Sequence, residues 1–221
     1  MVVWGFKRAL TRMGVLCAAW GVAAAASAAV VDFNGQPASN EARQMAQWAL
    51  DHEDASGKPF AVVDKKEARV FVFGADGRLL GATSALLGLA RGDQGMPGIG
   101  NIPVASIPPE ARTTPAGRFE SQPGHNLKGE SIVWIDYEAA LAIHRLRPAP
   151  VAEHRPERLA SASPMDKRIS FGCVVVSPEF FDQVVQPTLG RERGVVYVLP
   201  EETGGGSLAG AAGLMRPTRG P

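Results

Sequence analysis

Cysteine is nearly absent from this chain of 221 residues, which holds only Cys17 and Cys173. Cys17 lies inside an N-terminal apolar run, so a chain that loses this run keeps one thiol and has no internal disulfide open to it. An excess of charge of one sign is absent too. Lys and Arg number 23 against 22 Asp and Glu, and the cations are scattered, which removes nucleic acid from the expected partners. The apolar run itself, Met13 to Ala26, is short of the roughly 20 residues that a membrane helix needs. Metal-ligand patterns are equally thin. His52, His125, His144 and His154 have no recognised ligand spacing with each other or with Cys173, so no metal and no cofactor is expected, and a zinc hydrolase is a weak reading.

What the N-terminus does contain is a leader. Lys7, Arg8 and Arg12 precede the apolar run and Ala26-Ser27-Ala28 closes it, which predicts a cleaved signal peptide over residues 1–28, the alternative being the same run kept uncleaved as a membrane anchor. Leu16 is too large for the small-residue position that precedes a lipidated cysteine. The mature protein is therefore expected to be exported, to the periplasm or cell envelope, with no membrane span after cleavage. A 45% apolar composition is enough for one domain with tails.

Residues 29–59 read as a lead-in and a helix from about Asn40 to His52, with Ala42, Met45, Ala46, Ala49 and Leu50 on one face and Ser39 or Asn40 as cap. From residue 60 to 200 the period changes to two. Arg69 to Phe73 and Leu79 to Thr83 flank Gly74-Ala75-Asp76-Gly77 as a hairpin. Further strands are expected near Leu86 to Ala90, after Thr114, over Ser131 to Ile135, around Ile143 to Arg145, over Val174 to Val176 and over Gly194 to Leu199; Gly92 to Pro109 reads as a long loop. The fold class is mostly β (α+β), a sandwich or barrel with a few short helices. Residues 201–221 are rich in Gly, Ala and Pro and are expected to be a disordered tail.

Cys173 has a telling setting. Gly172 precedes it, an apolar strand follows, and Ser177-Pro178-Glu179 then starts a helix. A thiol so placed is held on a rigid frame, yet at its ordinary pKa it is only a few per cent thiolate at neutral pH and needs a base. Among the histidines, His144 alone follows an apolar approach, Leu141-Ala142-Ile143, and is the best partner.

Ser170-Phe171-Gly172-Cys173, with His144 upstream and Thr114 to Phe119 before it, resembles the L,D-transpeptidase (YkuD-type) catalytic domain over about Phe60 to Pro200. Two departures stand out: Phe171 replaces the motif's second histidine, and Val175 its Asn or Arg. The spacer between His144 and Ser170 is also longer than usual, so it carries an inserted loop, read here as solvated rather than as a lid. The resemblance implies a β-sandwich in which Cys173 is the nucleophile and His144 its general base, oriented by the Arg145 carbonyl. Backbone N–H groups of Gly172 and Cys173 would hold the oxyanion and Ser170 would assist. Phe171 would floor the acyl site; Arg118 is a further groove candidate. The implied activity is acyl transfer on peptidoglycan stem peptides: release of the terminal D-alanine, then transfer of the thioester to an amine (transpeptidase) or to water (carboxypeptidase). The alternative is an inactive peptidoglycan-binding module of the same fold.

Overall fold

The structure, a computed structural model, describes residues 1–2 and 30–202; the rest of the expected signal peptide and nearly all of the expected tail lie outside the described residues. Helix α1 spans Asn40–Asp51. Its first turn is closed by the Ser39 hydroxyl, which accepts from the Ala42 N–H at 3.0 Å, and Glu41 places a carboxylate near the positive end of the helix dipole. Ala42, Met45, Ala46 and Ala49 are buried as the helical period demands, while Leu50 is only half-buried.

Ten strands follow: β1 Phe60–Asp64, β2 Arg69–Phe73, β3 Leu79–Ser84, β4 Leu87–Gly88, β5 Gly117–His125, β6 Ser131–Asp136, β7 Leu141–Arg145, β8 Arg168–Ser170, β9 Val174–Val176 and β10 Gly194–Val198. Eight of them form one mixed sheet in the order β3-β2-β1-β10-β5-β6-β7-β9, and β4 pairs with β8. The long strand β5 turns the corner. Its first half, Gly117 to Ser121, pairs with β10, and its second half, Gln122 to His125, pairs with β6. The sheet thereby folds into two halves whose inner faces share one core. Val63, Val70, Val72, Val196 and Val198 from one half meet Val133, Ile135, Ile143, Val174 and Val176 from the other, with Phe181, Val185 and Leu189 between them. The expected sandwich is what the chain builds.

The two outer faces differ. That of the first half is sealed by α1 and the lead-in: Phe33, Met45 and Ala46 pack on Phe60, Phe71, Phe73 and Tyr197. Over the second half, α2 (Arg155–Ala160) and single helical turns decorate the connections 92–112 and 146–167. A short helix α3, Pro178–Phe180, capped by Ser177 and continued by a π-turn to Val185, delivers Phe181 and Val185 to the core.

Several expectations need correcting. The strand expected over Leu86 to Ala90 is two residues long, and His125, read as part of a turn, ends β5, the turn falling over Asn126 to Gly129. Glu201 and Glu202, placed in the expected tail, are tied to the domain: their N–H groups donate to the Asp93 carboxylate at 2.9 and 3.1 Å. Glu201 is 3% exposed, and its carboxylate takes the Arg168 guanidinium at 2.6 Å, the Gly92 N–H at 3.0 Å and Lys65 at 3.6 Å. Lys65, fully buried, also donates to Asp93 at 2.7 Å and to the carbonyls of Gly92 and Thr114 at 2.6 and 2.9 Å. Burial pushes the Lys65 amine below its ordinary range while Asp93 pulls it back up. Every buried charge here has partners, which is the condition for burying one at tolerable cost. The network ties the end of β1 and the chain after β10 to β8, the strand that leads to Cys173.

Candidate active site

The turn Phe171–Cys173 joins β8 to β9 and is held from both sides. Inside it, Ser170 Oγ donates to the Cys173 carbonyl at 2.6 Å and accepts the Gly172 N–H at 3.1 Å. From outside, the buried Thr114 hydroxyl donates to the Gly172 carbonyl at 2.7 Å and accepts the Gly88 N–H at 2.9 Å. Gly172 sits at φ +129, and a β-carbon on it would lie 2.8 Å from the Thr113 carbonyl oxygen, so only glycine fits. One expected role is thereby removed. The Gly172 N–H is already bonded to Ser170, so it is not an open oxyanion donor, and Ser170 acts as a brace of the turn.

His144 stands on β7, parallel to β9, with Ile143 opposite Val174 and His144 opposite Val175. Ile143 and Val174 face the core, so strand alternation turns His144 and Cys173 to the other, outer face. His144 Nδ1 lies 2.7 Å from the Arg145 carbonyl oxygen, a contact in which Nδ1–H donates and Nε2 keeps its lone pair. Burial, reinforced by the charges of Arg147 and Arg155, depresses the imidazole pKa to about 4 although the Arg145 carbonyl works against it. The thiol is pushed up, chiefly by burial, with the Ala142 backbone and Arg147 opposing. Cys173 is partly exposed, and its sulfur lies 3.6 Å from the Ala140 carbonyl oxygen. At neutral pH both groups rest uncharged.

The walls come from three segments. The β6–β7 turn over Tyr137 to Ala140 packs against Gly100, where a β-carbon would meet the Glu138 carbonyl at 2.0 Å, and Trp134 and Tyr137 stack edge to face at 5.1 Å. Phe171 lies under the Arg112 guanidinium at 4.2 Å, and Arg112 Nε donates to the Ile107 carbonyl. At the far end of β7 an open depression of about 310 Å³ is lined by Glu130, Ser131, Arg145 and Arg147.

No protein-family model matches this chain, and no curated protein matches it. Among solved structures it is similar to L,D-transpeptidases. The catalytic domain from E. faecium L,D-transpeptidase is 18% identical over 65% of this chain and 98% of that one, with a TM-score of 0.34. The L,D-transpeptidase from Mycobacterium smegmatis is 17% identical over 64% of this chain and 58% of that one, with a TM-score of 0.34. The helical cell shape determining protein Pgp2 from Campylobacter jejuni is 15% identical over 66% of this chain, with a TM-score of 0.43; this chain spans about half the length of that one, 49%.

Of the expected site residues, the structure gathers Cys173, Gly172, Ser170, Phe171, His144 and Arg145 around one turn and one strand. It does not bring Arg118 there. Arg118, on β5, is bonded to Asp54 at 2.6 Å and Glu120 at 2.8 Å, and Asp54 also takes the Tyr197 hydroxyl, on the face that α1 covers. Arg145 contributes its carbonyl, while its guanidinium goes to Asp182, the Ser131 carbonyl and the Phe181 ring. Of the other histidines, His52 stacks on Trp48 of α1, His125 ends β5, and His154 precedes α2 in a left-handed conformation. Thr114 was read as a strand-entry residue and its brace on Gly172 was missed; the Thr-Pro pair was its one signal. Arg112 and Arg147 carried none, because only the folded loops bring them near.

Proposed function

We propose that this protein is an exported cysteine acyltransferase of peptidoglycan, an L,D-transpeptidase or L,D-carboxypeptidase, with Cys173 as nucleophile and His144 as general base. The observation that carries this reading is the His144 ring, neutral, tethered through Nδ1 to the Arg145 carbonyl, with Nε2 unbound on the sheet face that also bears the Cys173 thiol. In the proposed cycle Nε2 takes the thiol proton as sulfur attacks the stem-peptide carbonyl, then returns it to the departing D-alanine amine. The developing oxyanion falls to the Cys173 N–H, Gly172 being engaged. Water or a neighbouring stem amine then resolves the thioester. The motif Ser170-Phe171-Gly172-Cys173 supports the same reading through its resemblance to the family.

Incubation with a disaccharide-tetrapeptide tests it. D-alanine release and an acyl adduct on Cys173 by mass spectrometry are expected, and both should vanish in Cys173→Ala. Folded protein that yields neither sinks the proposal.

A second reading, a peptidoglycan-binding module without turnover, is favoured by Phe171 and Val175. Phe171 is occupied by Arg112, and Val175 is 1% exposed and exchanges two backbone hydrogen bonds with Leu86, so neither offers a polar contact. Saturable binding to purified sacculi that persists in Cys173→Ala, with no thioester in the parent chain, would favour it.

A further inference from the structure

We infer that Arg147 anchors the terminal carboxylate of the donor peptide. This rests on the acyl-transfer reading and adds a specificity residue to it. Arg147 lies two residues past β7, in the inserted connection between His144 and Cys173. It lines the depression of about 310 Å³ with Glu130, Ser131 and Arg145. That volume is at the small end for a ligand site, suited to one terminal residue rather than to a longer peptide.

The two arginines there are not equivalent. Arg145 is tied to Asp182, to the Ser131 carbonyl and to the face of Phe181. Arg147 has one ion pair, with Glu130 at 2.9 Å, between side chains 35% and 46% exposed. A pair that open is weak and exchangeable. Glu130 keeps the Asn126 amide at 2.5 Å when the pair opens, so both groups stay bonded if an incoming carboxylate takes the guanidinium. The charge of Arg147 also acts on both the Cys173 thiol and the His144 ring, which places it within electrostatic reach of the reacting atoms. Arg155, the other cation acting on His144, is paired with Glu153. Val175 supplies no polar group from its side.

The test uses the full chain carrying Cys173→Ala, so that bound peptide is not consumed, titrated with a stem tetrapeptide ending in a free carboxylate and with its C-terminal carboxamide. The carboxylate form should bind at least about tenfold tighter, the worth of one charge-assisted hydrogen bond. Adding Arg147→Gln should bring it down to the carboxamide level with an unchanged melting temperature, and Arg147→Lys should recover part of the difference. Equal binding of the two peptides, a preference that survives Arg147→Gln, or no binding of either overturns the inference. D-alanine release by the parent chain is read separately. Its absence would refute the acyl-transfer reading while the carboxylate preference remained measurable.

Discussion

The two outer faces of this sheet were built by the same chain to different ends. One is closed by α1: aromatic and aliphatic side chains meet there with 0–7% exposure, Arg43 and Arg69 lie over the Phe33 and Phe71 rings, and Arg118 is paired with Asp54 and Glu120. The other bears His144 and Cys173, and polar groups hold it in shape: the Thr114 hydroxyl, the Ser170 hydroxyl, the Arg145 carbonyl and, behind them, the Lys65–Asp93–Glu201–Arg168 network. Apolar packing stabilises without specifying where one atom sits, whereas hydrogen bonds in a low-dielectric setting fix positions and lose heavily when one partner is removed. The first face is held by apolar packing, the second by hydrogen bonds to fixed partners.

The sharpest way to break this contrast is to alter the ring on the open face. His144→Ala should lower D-alanine release by about 10²- to 10⁴-fold, the usual worth of a positioned base, with the fold kept by circular dichroism. A loss under threefold would mean that the thiol is served by some other group. Next in size is the brace beneath it. Glu201→Ala leaves Lys65 and Arg168 short of a buried partner and should cost about 3–5 kcal/mol in urea unfolding. A cost below 1 kcal/mol would show that Asp93 suffices for Lys65 and the Lys65 carbonyl for Arg168.

Acid should separate the faces as well. The His144 pKa is about 4 in the fold against 6.5 ordinarily, so the unfolded chain binds this proton more tightly. Its contribution is complete above pH 6.5 and is lost as pH falls toward 4, a change of at most about 3 kcal/mol at 1.36 kcal/mol per pH unit. His144→Gln should flatten the stability curve in that window, and the acid limb of kcat/KM in the parent chain should lie near pH 4 rather than 6.5. The smallest effect belongs to the closed face. Arg118→Met should lower stability by about 1–3 kcal/mol, because it leaves Asp54 with the Tyr197 hydroxyl in place of a charged partner, and leave D-alanine release intact. Loss of turnover in this variant would return Arg118 to the site.

Much of this was legible in the residues. α1 was readable because a 3.6-residue stripe, Ala42, Met45, Ala46 and Ala49, follows a serine cap, and the β2–β3 hairpin because period-two runs flank an Asp-Gly turn. Cys173 and His144 were singled out by motif and elimination, and the structure sets His144 on β7 and Cys173 directly before β9, the strand that pairs with it. Lys65 was not. Nothing in Asp64-Lys65-Lys66-Glu67 distinguishes the fully buried lysine from its exposed neighbour, since the groups that receive it, Asp93, Thr114 and Glu201, come from three distant segments. β4 shrank to two residues because it pairs with the three-residue β8, and the register already shifts between Leu87 and Gly88.

Local pattern therefore determined which stretches become strand or helix and where the chain must turn, because these depend on neighbours a few residues apart. Tertiary structure alone decided that β5 bends the sheet into a sandwich, that Gly172 spends its N–H on Ser170, that Arg118 is locked under α1 and that Arg147 opens onto the depression beyond His144. Each of those outcomes is a contact between segments far apart in the chain, and loop closure, burial and charge pairing choose such contacts together.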